Sequence, residues 1–455
     1  MWARDCPERP LPSARRRPSA GLVLVLLLGV ACRPGRAPEA PGSPWPAGDL
    51  AVRCGRLIDG LGGPPAENRT VVIEGGRITA VLEHSPSALP LLDLGRATCL
   101  PGLIDLHTHL MERPEDTADL SIFLGRTADE ADAIGRTNAR ATLEAGFTTV
   151  RDVGAYLAWS ERRLRDEIAR GEAVGPRMQV AGYYLTIPGG GGDLALPGIA
   201  LERIPSRLRQ GVARGPEAFR AKAKEAVAGG ADLLKVIASG AVLAYGGVPG
   251  EPEMTPEEIA AVVAVAHAAG KKVAAHAHGA RSIREAIRAG VDTLEHASLI
   301  DDEGIALARE RGVALVMDVY NGDYIESEGR RQGWPEEFLR KNLETTEAQR
   351  QGFRRAWEAG APIAFGTDAG VFPHGQNARQ FRIMVERGMP PMAAILAATS
   401  VAARCLGWQD RVGSLVAGRF GDLIAVAGDP LEDITALERV QVVVQGGRVV
   451  RAPAR

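Results

Sequence analysis

Short apolar runs alternate with amphipathic segments over most of the chain, from about residue 97 to residue 407. Here a helical segment repeatedly ends at a glycine and is followed by a β-rich run, as in LEAG-FTTVRD, AHAAG-KKVAAHAHG and WEAG-APIAFGTDAG. Glycine suits the position after a helix because it accepts a left-handed φ without a Cβ clash. The stretch TPEE, at 255–258, has the threonine cap, proline and glutamate typical of a helix start. Strands that alternate with helices predict a parallel sheet.

The count of these units predicts the architecture. With CLPGLIDLHTH at the start and PRMQVAGYYLT near 176–186, the region holds eight predicted strands. Eight βα units predict an α/β fold of the (β/α)8 TIM-barrel type over 97–407. An open doubly wound sheet is the alternative, but it normally carries a glycine-rich phosphate loop after its first strand. The glycine-rich IPGGGGDL follows the third strand instead, so we interpret it as a flexible loop.

The two flanks of this region have a different pattern, with short β runs and glycine turns. VVIEGGRI before the region and VVVQGGRV after it are near copies, and Gly75-Gly76 is typical of a hairpin turn. We therefore expect 50–96 and 408–455 to form one discontinuous β-sandwich domain.

The N-terminus has the pattern of an export signal. Three arginines at 15–17 precede the apolar run AGLVLVLLLGVA, which is too short for a confident membrane span. We predict a signal peptide over 1–31 and a Pro/Gly-rich tether over 32–49. GVAC resembles a bacterial lipobox, so Cys32 is the predicted lipidation site, and ordinary cleavage after residue 31 and twin-arginine export stay open. The expected location is the periplasm or the outer membrane of a bacterium, with the lipid as the only membrane contact.

Composition excludes some function classes. The net charge is −2 in 455 residues, which gives no reason to expect nucleic acid as a partner. Beyond Cys32 only three cysteines remain, and this odd, sparse set argues against a disulfide framework.

Polar residues fall at the carboxyl ends of the predicted strands. In a (β/α)8 barrel these ends ring a single mouth, where active sites lie. Histidine, lysine and aspartate side chains are rarely buried without a partner. Two histidines on the same face of a strand suggest a bound metal ion. The candidate residues are His107 and His109 on strand 1, Lys235 on strand 4, His276 and His278 on strand 5, His296 on strand 6 and Asp368 on strand 8.

This combination resembles the amidohydrolase superfamily of metal-dependent hydrolases. KVIASGAV, VAAHAHG, LEHASLIDDEG and GTDAG are most similar to its imidazolonepropionase-like branch, which includes bacterial Xaa-Pro and other Xaa-amino-acid dipeptidases. The resemblance implies two divalent metal ions, with zinc the expected metal. It implies that one ion is held by His107, His109 and Asp368, that the other is held by His276 and His296, and that carbamylated Lys235 bridges them.

The resemblance also implies the chemistry. Two cations would lower the pKa of a bridging water, and the resulting hydroxide would attack an amide carbonyl. Asp368 would take the proton and return it to the leaving nitrogen, which makes it the expected catalytic group. His278 is expected to contact substrate, and Tyr245 and Tyr320 are further pocket candidates.

Two acidic residues lie next to these candidates in the sequence, and their expected roles differ. Asp105 lies two residues before His107 on the same face, so we expect it to support the site. Glu295 precedes His296 and is expected to face away.

The expected function is that of an exported amidohydrolase that cleaves a C–N amide bond in a small-molecule substrate. A dipeptide, with Xaa-Pro as the specific case, or an N-acyl amino acid is the expected substrate. A cyclic-amide hydrolase or deaminase is the alternative within the superfamily, although such sites usually replace the lysine. A lipoprotein that binds a solute or scaffolds an assembly without catalysis is the alternative of another class.

Overall fold

The computed structural model describes residues 48–452. The strands are β1 (Leu50–Leu57), β2 (Ala66–Glu74), β3 (Arg77–Leu82), β4 (Leu91–Asp93), β5 (Thr98–Pro101), β6 (Leu103–Thr108), β7 (Phe147–Asp152), β8 (Arg177–Val180), β9 (Tyr184–Leu185), β10 (Leu233–Ile237), β11 (Lys272–Gly279), β12 (Thr293–Leu299), β13 (Ala314–Val316), β14 (Ile363–Ala364), β15 (Leu423–Val426), β16 (Val442–Gln445) and β17 (Arg448–Arg451).

The α-helices are α1 (Pro114–Ala118), α2 (Ile122–Gly125), α3 (Ala128–Glu144), α4 (Ser160–Arg170), α5 (Pro216–Ala228), α6 (Pro256–Ala268), α7 (Ala280–Ala289), α8 (Asp302–Arg311), α9 (Asn321–Tyr324), α10 (Arg330–Gln332), α11 (Glu336–Glu358), α12 (Arg379–Glu386), α13 (Pro391–Leu396) and α14 (Ala402–Leu406). The predicted start of α6 is confirmed, because the Thr255 side chain accepts a hydrogen bond from the backbone N–H of Glu258.

The middle of the chain forms parallel sheets. One has the order β6-β7-β8 and the other has the order β14-β13-β12-β11-β10-β9. Backbone hydrogen bonds link their ends: Leu106 N donates to Phe365 O at 3.0 Å, and Asp232 N donates to Val180 O at 2.8 Å. The strands are buried on both faces, as parallel strands covered by helices are. Their carboxyl ends therefore converge on one side of the molecule.

The third predicted strand differs from the expectation. Instead of one strand over 176–186, the chain forms β8, which pairs with β7, and β9, which pairs with β10. Gly182 lies between them with φ +87°, in the left-handed region that glycine tolerates. A Cβ on Gly182 would lie 2.7 Å from the Trp159 ring, so the close packing of that ring also requires glycine.

Both ends of the described chain contribute to a third sheet. Its strand order is β17-β16-β15-β5-β1-β2-β3, with β4 paired to β1. The two near-copied segments form hairpins, in which Glu74 pairs with Arg77 and Gln445 pairs with Arg448. Because β5 belongs to this sheet, the sheet extends past the expected boundary at residue 96 to Pro101.

The expectation from the cysteine count is wrong. Cys54 on β1 and Cys99 on β5 form a disulfide, with their Cα atoms 5.8 Å apart. An odd number of cysteines leaves one unpaired but does not prevent the others from facing each other across neighbouring strands. Cys405 is the remaining free cysteine among the described residues.

The predicted signal peptide over 1–31, Cys32 and most of the predicted tether lie outside the described residues. Within residues 48–452, no helix combines the length and the apolar character needed to cross a membrane. Export and lipidation at Cys32 therefore stay predictions.

Candidate metal centre and substrate cavity

The structure brings all seven predicted strand-end residues to one cavity. They lie in or just after five different strands, which explains how residues so distant in sequence meet. The set comprises His107 and His109 (β6), Lys235 (β10), His276 and His278 (β11), His296 (β12) and Asp368 (after β14).

The Asp368 carboxylate lies beside the two histidines of the first parallel strand. Its Oδ1 is 3.3 Å from His107 Nε2 and 3.2 Å from His109 Nε2, and its Oδ2 accepts a hydrogen bond from Asn321. Burial works to raise the pKa of Asp368, but the charge of His107 and the hydrogen bond from His109 hold it well below its ordinary value. An ionised carboxylate between two imidazoles is suited to bind a cation or to accept a proton.

Two of the strand-end residues have an unusual backbone. His296 and Asp368 adopt left-handed conformations, with φ 66° and 60°. Each such residue costs about 1–3 kcal/mol and persists only where surrounding contacts hold it. Asp368 N donates to His107 O at 2.8 Å, and Gln349 Nε2 donates to His296 O at 3.1 Å. Strain of this kind is typical of functional sites.

Lys235 and His276 carry buried polar atoms without partners. Lys235 Nζ and His276 Nε2 have no hydrogen-bond partner among the described residues, although buried polar groups normally have one. Burial lowers the pKa of Lys235 to about 8 and holds the pKa of His276 well below its ordinary value. The His276 imidazole is therefore neutral, as a metal-ligating histidine must be.

Two overlapping groups of side chains are close enough to hold a metal ion. The ligand atoms of His276, His278 and His296 lie within 4.8 Å of one another, and so do those of His107, His296 and Asp368. Imidazole nitrogens with a carboxylate are ligands typical of zinc and related divalent ions. His278 Nδ1 contacts Ser298 Oγ at 2.8 Å, which leaves its Nε2 for the cavity.

The prediction that Glu295 faces away is wrong. Its carboxylate is fully buried, and its Oε2 lies 2.9 Å from His107 Nδ1. Arg151, on β7, donates from Nη2 to Glu295 Oε1 at 2.7 Å and from Nε to Leu106 O. This pair orients the His107 ring so that Nε2 faces Asp368. Strand alternation fails here because the residues after Glu295, His296 and Ala297, both have left-handed φ values.

Asp318 plays the corresponding part for His296, and the sequence reasoning missed it. Its Oδ1 lies 3.0 Å from His296 Nδ1 and accepts a hydrogen bond from Gln349, while Asn321 donates to its Oδ2. A signal was present, since Asp318 closely follows the apolar β13.

Asp105 supports the site through backbone contacts. Its carboxylate accepts hydrogen bonds from the backbone N–H groups of His107 and Thr367 and from the side chains of Thr367 and Asn377. These contacts join β6 to the segment that carries Asp368.

The two predicted pocket tyrosines lie elsewhere. Tyr245 packs its ring against Phe338, with centroids 4.8 Å apart, and Tyr320 stacks edge-on against Phe372 and accepts a hydrogen bond from Arg379. Neither lines the cavity. The loop after β10 and the turn before α9 carry them into neighbouring apolar contacts, which a strand-end rule does not foresee.

Three other residues line the cavity in their place. Tyr184, on β9, places its hydroxyl 3.1 Å from His109 Nδ1 and 3.4 Å from Glu112 Oε1. Tyr156 packs edge-on against Tyr184, with centroids 5.5 Å apart. Tyr184 belongs to the third predicted strand, but no sequence signal distinguishes Glu112 or Tyr156.

The chain is similar to one protein family and to several individual proteins. A model of the amidohydrolase family matches residues 98–450. The ochratoxinase of Aspergillus niger is 30% identical over 425 residues, which cover 88% of this chain and 86% of that protein. The imidazolonepropionase of Rhizorhabdus wittichii is 28% identical over 430 residues, which cover 82% of this chain and 93% of that protein.

A solved structure extends the likeness to three dimensions. The crystal structure of a Xaa-Pro dipeptidase with bound methionine in the active site superposes with a TM-score of 0.82 at 35% identity. The match covers 88% of this chain and 99% of that one. Together with the family match, it gives this chain a TIM-barrel-type α/β fold.

Proposed function

Because this chain belongs to the amidohydrolase family and is a hydrolase of C–N bonds, we propose that it is a metal-dependent dipeptidase. An Xaa-Pro dipeptide is the proposed substrate, and an N-acyl amino acid is the second candidate. The family resemblance expected from the sequence, including its imidazolonepropionase-like branch, is confirmed. The dipeptide itself is proposed because the similar structure is that of a Xaa-Pro dipeptidase.

One observation carries the metal part of this proposal. Lys235 Nζ and His276 Nε2 are buried without a partner in a cavity that also holds His107, His296 and Asp368. We propose that His107, His109 and Asp368 hold one divalent ion and that His276 and His296 hold a second. Lys235, as a carbamate formed with CO2, would supply an anion between them, and zinc is the proposed metal. Two such ions would polarise the amide carbonyl and lower the pKa of a nearby water.

The chain's own residues complete the chemistry. The Asp368 carboxylate takes a proton from the attacking water and delivers it to the leaving nitrogen. Glu295 and Asp318 hold the rings of His107 and His296 in place. His278 directs its Nε2 toward the bound substrate, because Ser298 occupies its Nδ1.

The finer architecture is also proposed. The hydrogen bonds from β6 to the segment after β14 support a closed barrel. The third sheet and its own buried cluster, which includes Val52, Val71 and Val444, support a β-sandwich built from both chain ends.

Export is a separate proposal. The Cys54–Cys99 disulfide supports an oxidising compartment such as the periplasm. We propose that Cys32 carries the lipid, since stable anchoring needs two acyl chains and a lipoprotein N-terminus supplies them. If so, Cys32→Ser releases the protein into the soluble periplasmic fraction; a wild-type protein that is already soluble there contradicts lipidation.

The substrate is tested by screening the zinc-loaded protein against a library of dipeptides, their N-acetyl derivatives and imidazolone propionate. Hydrolysis of Xaa-Pro dipeptides ahead of the other classes supports the proposal. Preferred turnover of imidazolone propionate would favour the cyclic-amide alternative.

A further inference from the structure

One cavity carboxylate stands apart from the others. Four carboxylates line the cavity, and three have nitrogen partners: Asp116 (from Arg126), Asp318 (from Asn321 and Gln349) and Asp368 (from Asn321). Glu112 has no lysine, arginine or histidine nitrogen within 4.0 Å among residues 48–452. Within the described part of the chain, its carboxylate has a single hydrogen-bond partner, the Tyr184 hydroxyl, at the long distance of 3.4 Å. The Glu112 carboxylate is therefore available to a cation from outside the protein.

Three aromatic rings line the same cavity as this carboxylate. Tyr156 lies edge-on to Tyr184 at 5.5 Å and tilted to Phe123 at 5.0 Å, and all three rings line the same cavity. Burial raises the pKa of Glu112 to about 7, in keeping with a carboxylate that lacks a cation. A carboxylate beside aromatic rings binds a protonated amine through a charge-assisted hydrogen bond and cation–π attraction.

Glu112 lies close to the proposed metal centre. One hydroxyl group, that of Tyr184, contacts both Glu112 and His109. The nearby Arg113 does not neutralise Glu112, because its Nη2 pairs with Asp116 at 3.2 Å. A substrate bound at the metal centre therefore meets a carboxyl group without a cationic partner on the side of β6 and α1.

We propose that Glu112, Tyr156 and Tyr184 form a subsite for a protonated amine on the acyl side of the substrate. The inference rests on the proposed amidohydrolase function and narrows it to dipeptides with a free amine rather than N-acyl amino acids. An N-acyl group would leave the partly buried Glu112 carboxylate without a cationic partner, which disfavours binding. The amine is either the α-amino group or the side-chain amine of a lysine.

The test is a binding measurement that does not depend on turnover. Zinc-loaded Asp368→Asn protein, with or without Glu112→Gln, is titrated calorimetrically with Ala-Pro, N-acetyl-Ala-Pro and N-acetyl-Lys-Pro near neutral pH. Glu115→Gln is the matched control, because Glu115 lies three residues further along the chain, exposed on α1 and outside the cavity. Metal content is measured in every variant.

We expect Ala-Pro to bind about tenfold to hundredfold more tightly than N-acetyl-Ala-Pro, as a charge-assisted hydrogen bond allows. Glu112→Gln removes this preference without loss of metal, and Glu115→Gln keeps it. Tight, Glu112-dependent binding of N-acetyl-Lys-Pro alone would support the subsite and identify the side-chain amine as its ligand.

The inference is overturned if the ligands bind equally, if none binds, or if the preference survives Glu112→Gln. Turnover of Ala-Pro by the wild-type protein is measured in parallel. An amine preference without turnover would refute the proposed dipeptidase function and leave the subsite standing.

Discussion

At the scale of single residues, Asp368 makes the sharpest prediction. Asp368→Asn keeps the shape and one oxygen, but it cannot accept a proton near neutral pH. Proton transfer of this kind contributes about 10²–10⁴-fold, so we expect the rate to fall by at least about 10²-fold with near-normal metal content. Rate and metal are measured in the same sample.

Asp302→Asn is the control for this variant, because Asp302 is an exposed acid on α8. It should leave both the rate and the metal content unchanged. If the rate of Asp368→Asn falls only in proportion to the metal lost, Asp368 is a ligand alone, and His278 becomes the next candidate for the base.

Residue positions in the cavity were predictable where they depend on local pattern. A histidine or lysine at the end of a parallel strand must lie at the mouth, so the strand-end rule identifies the seven groups that the structure brings together. Glu295 escaped this rule because left-handed residues interrupt the alternation of β12. Tyr245 and Glu112 lie in loop segments, whose course depends on contacts distant in sequence.

At the scale of elements, the buried Arg151–Glu295 pair between β7 and β12 contacts β6 directly beside the site. Glu295 accepts from Arg151 with one oxygen and from His107 with the other. Glu295→Gln replaces one of these oxygens with a donor, so either Arg151 or the His107 ring loses its acceptor. Loss of such a supporting contact typically lowers metal affinity about 10–100-fold.

Competition with a chromophoric chelator measures this loss in the zinc-binding constant. Glu303→Gln, on the exposed surface of α8, provides a control with the same chemical change. Wild-type zinc affinity in Glu295→Gln would show that the pair does not orient the His107 ring.

Elements were predictable to the extent that their signals are local. The alternation of helix, glycine and strand gave the parallel strands, and the paired glycines gave both end hairpins. The division of the third strand at Gly182 depends on the Trp159 ring, which comes from a helix start in the preceding unit. The β1–β5 pairing that brings Cys54 to Cys99 also depends on contacts between residues distant in sequence.

At the scale of the whole molecule, the disulfide joins two strands of the sheet formed by the chain ends. It closes a segment with a sequence separation of 45 residues, and such a bond typically contributes about 2–4 kcal/mol. We therefore expect the double variant Cys54→Ala/Cys99→Ala to lose about 2–4 kcal/mol in its free energy of unfolding, measured with urea. The variant Cys405→Ala removes the free cysteine. Added reductant should lower its free energy of unfolding no more than it lowers that of the wild type. A double variant with the same midpoint as the wild type would contradict the stabilising role.

The central claim is a two-metal centre that hydrolyses a C–N bond, and a titration of metal-free protein tests it most directly. Zinc is added stepwise with bicarbonate present, and bound metal and Xaa-Pro hydrolysis are followed in the same samples. The account predicts that activity rises until about two equivalents are bound, because more ligands surround the cavity than a single four-coordinate ion requires. Full activity at a single bound equivalent would contradict it.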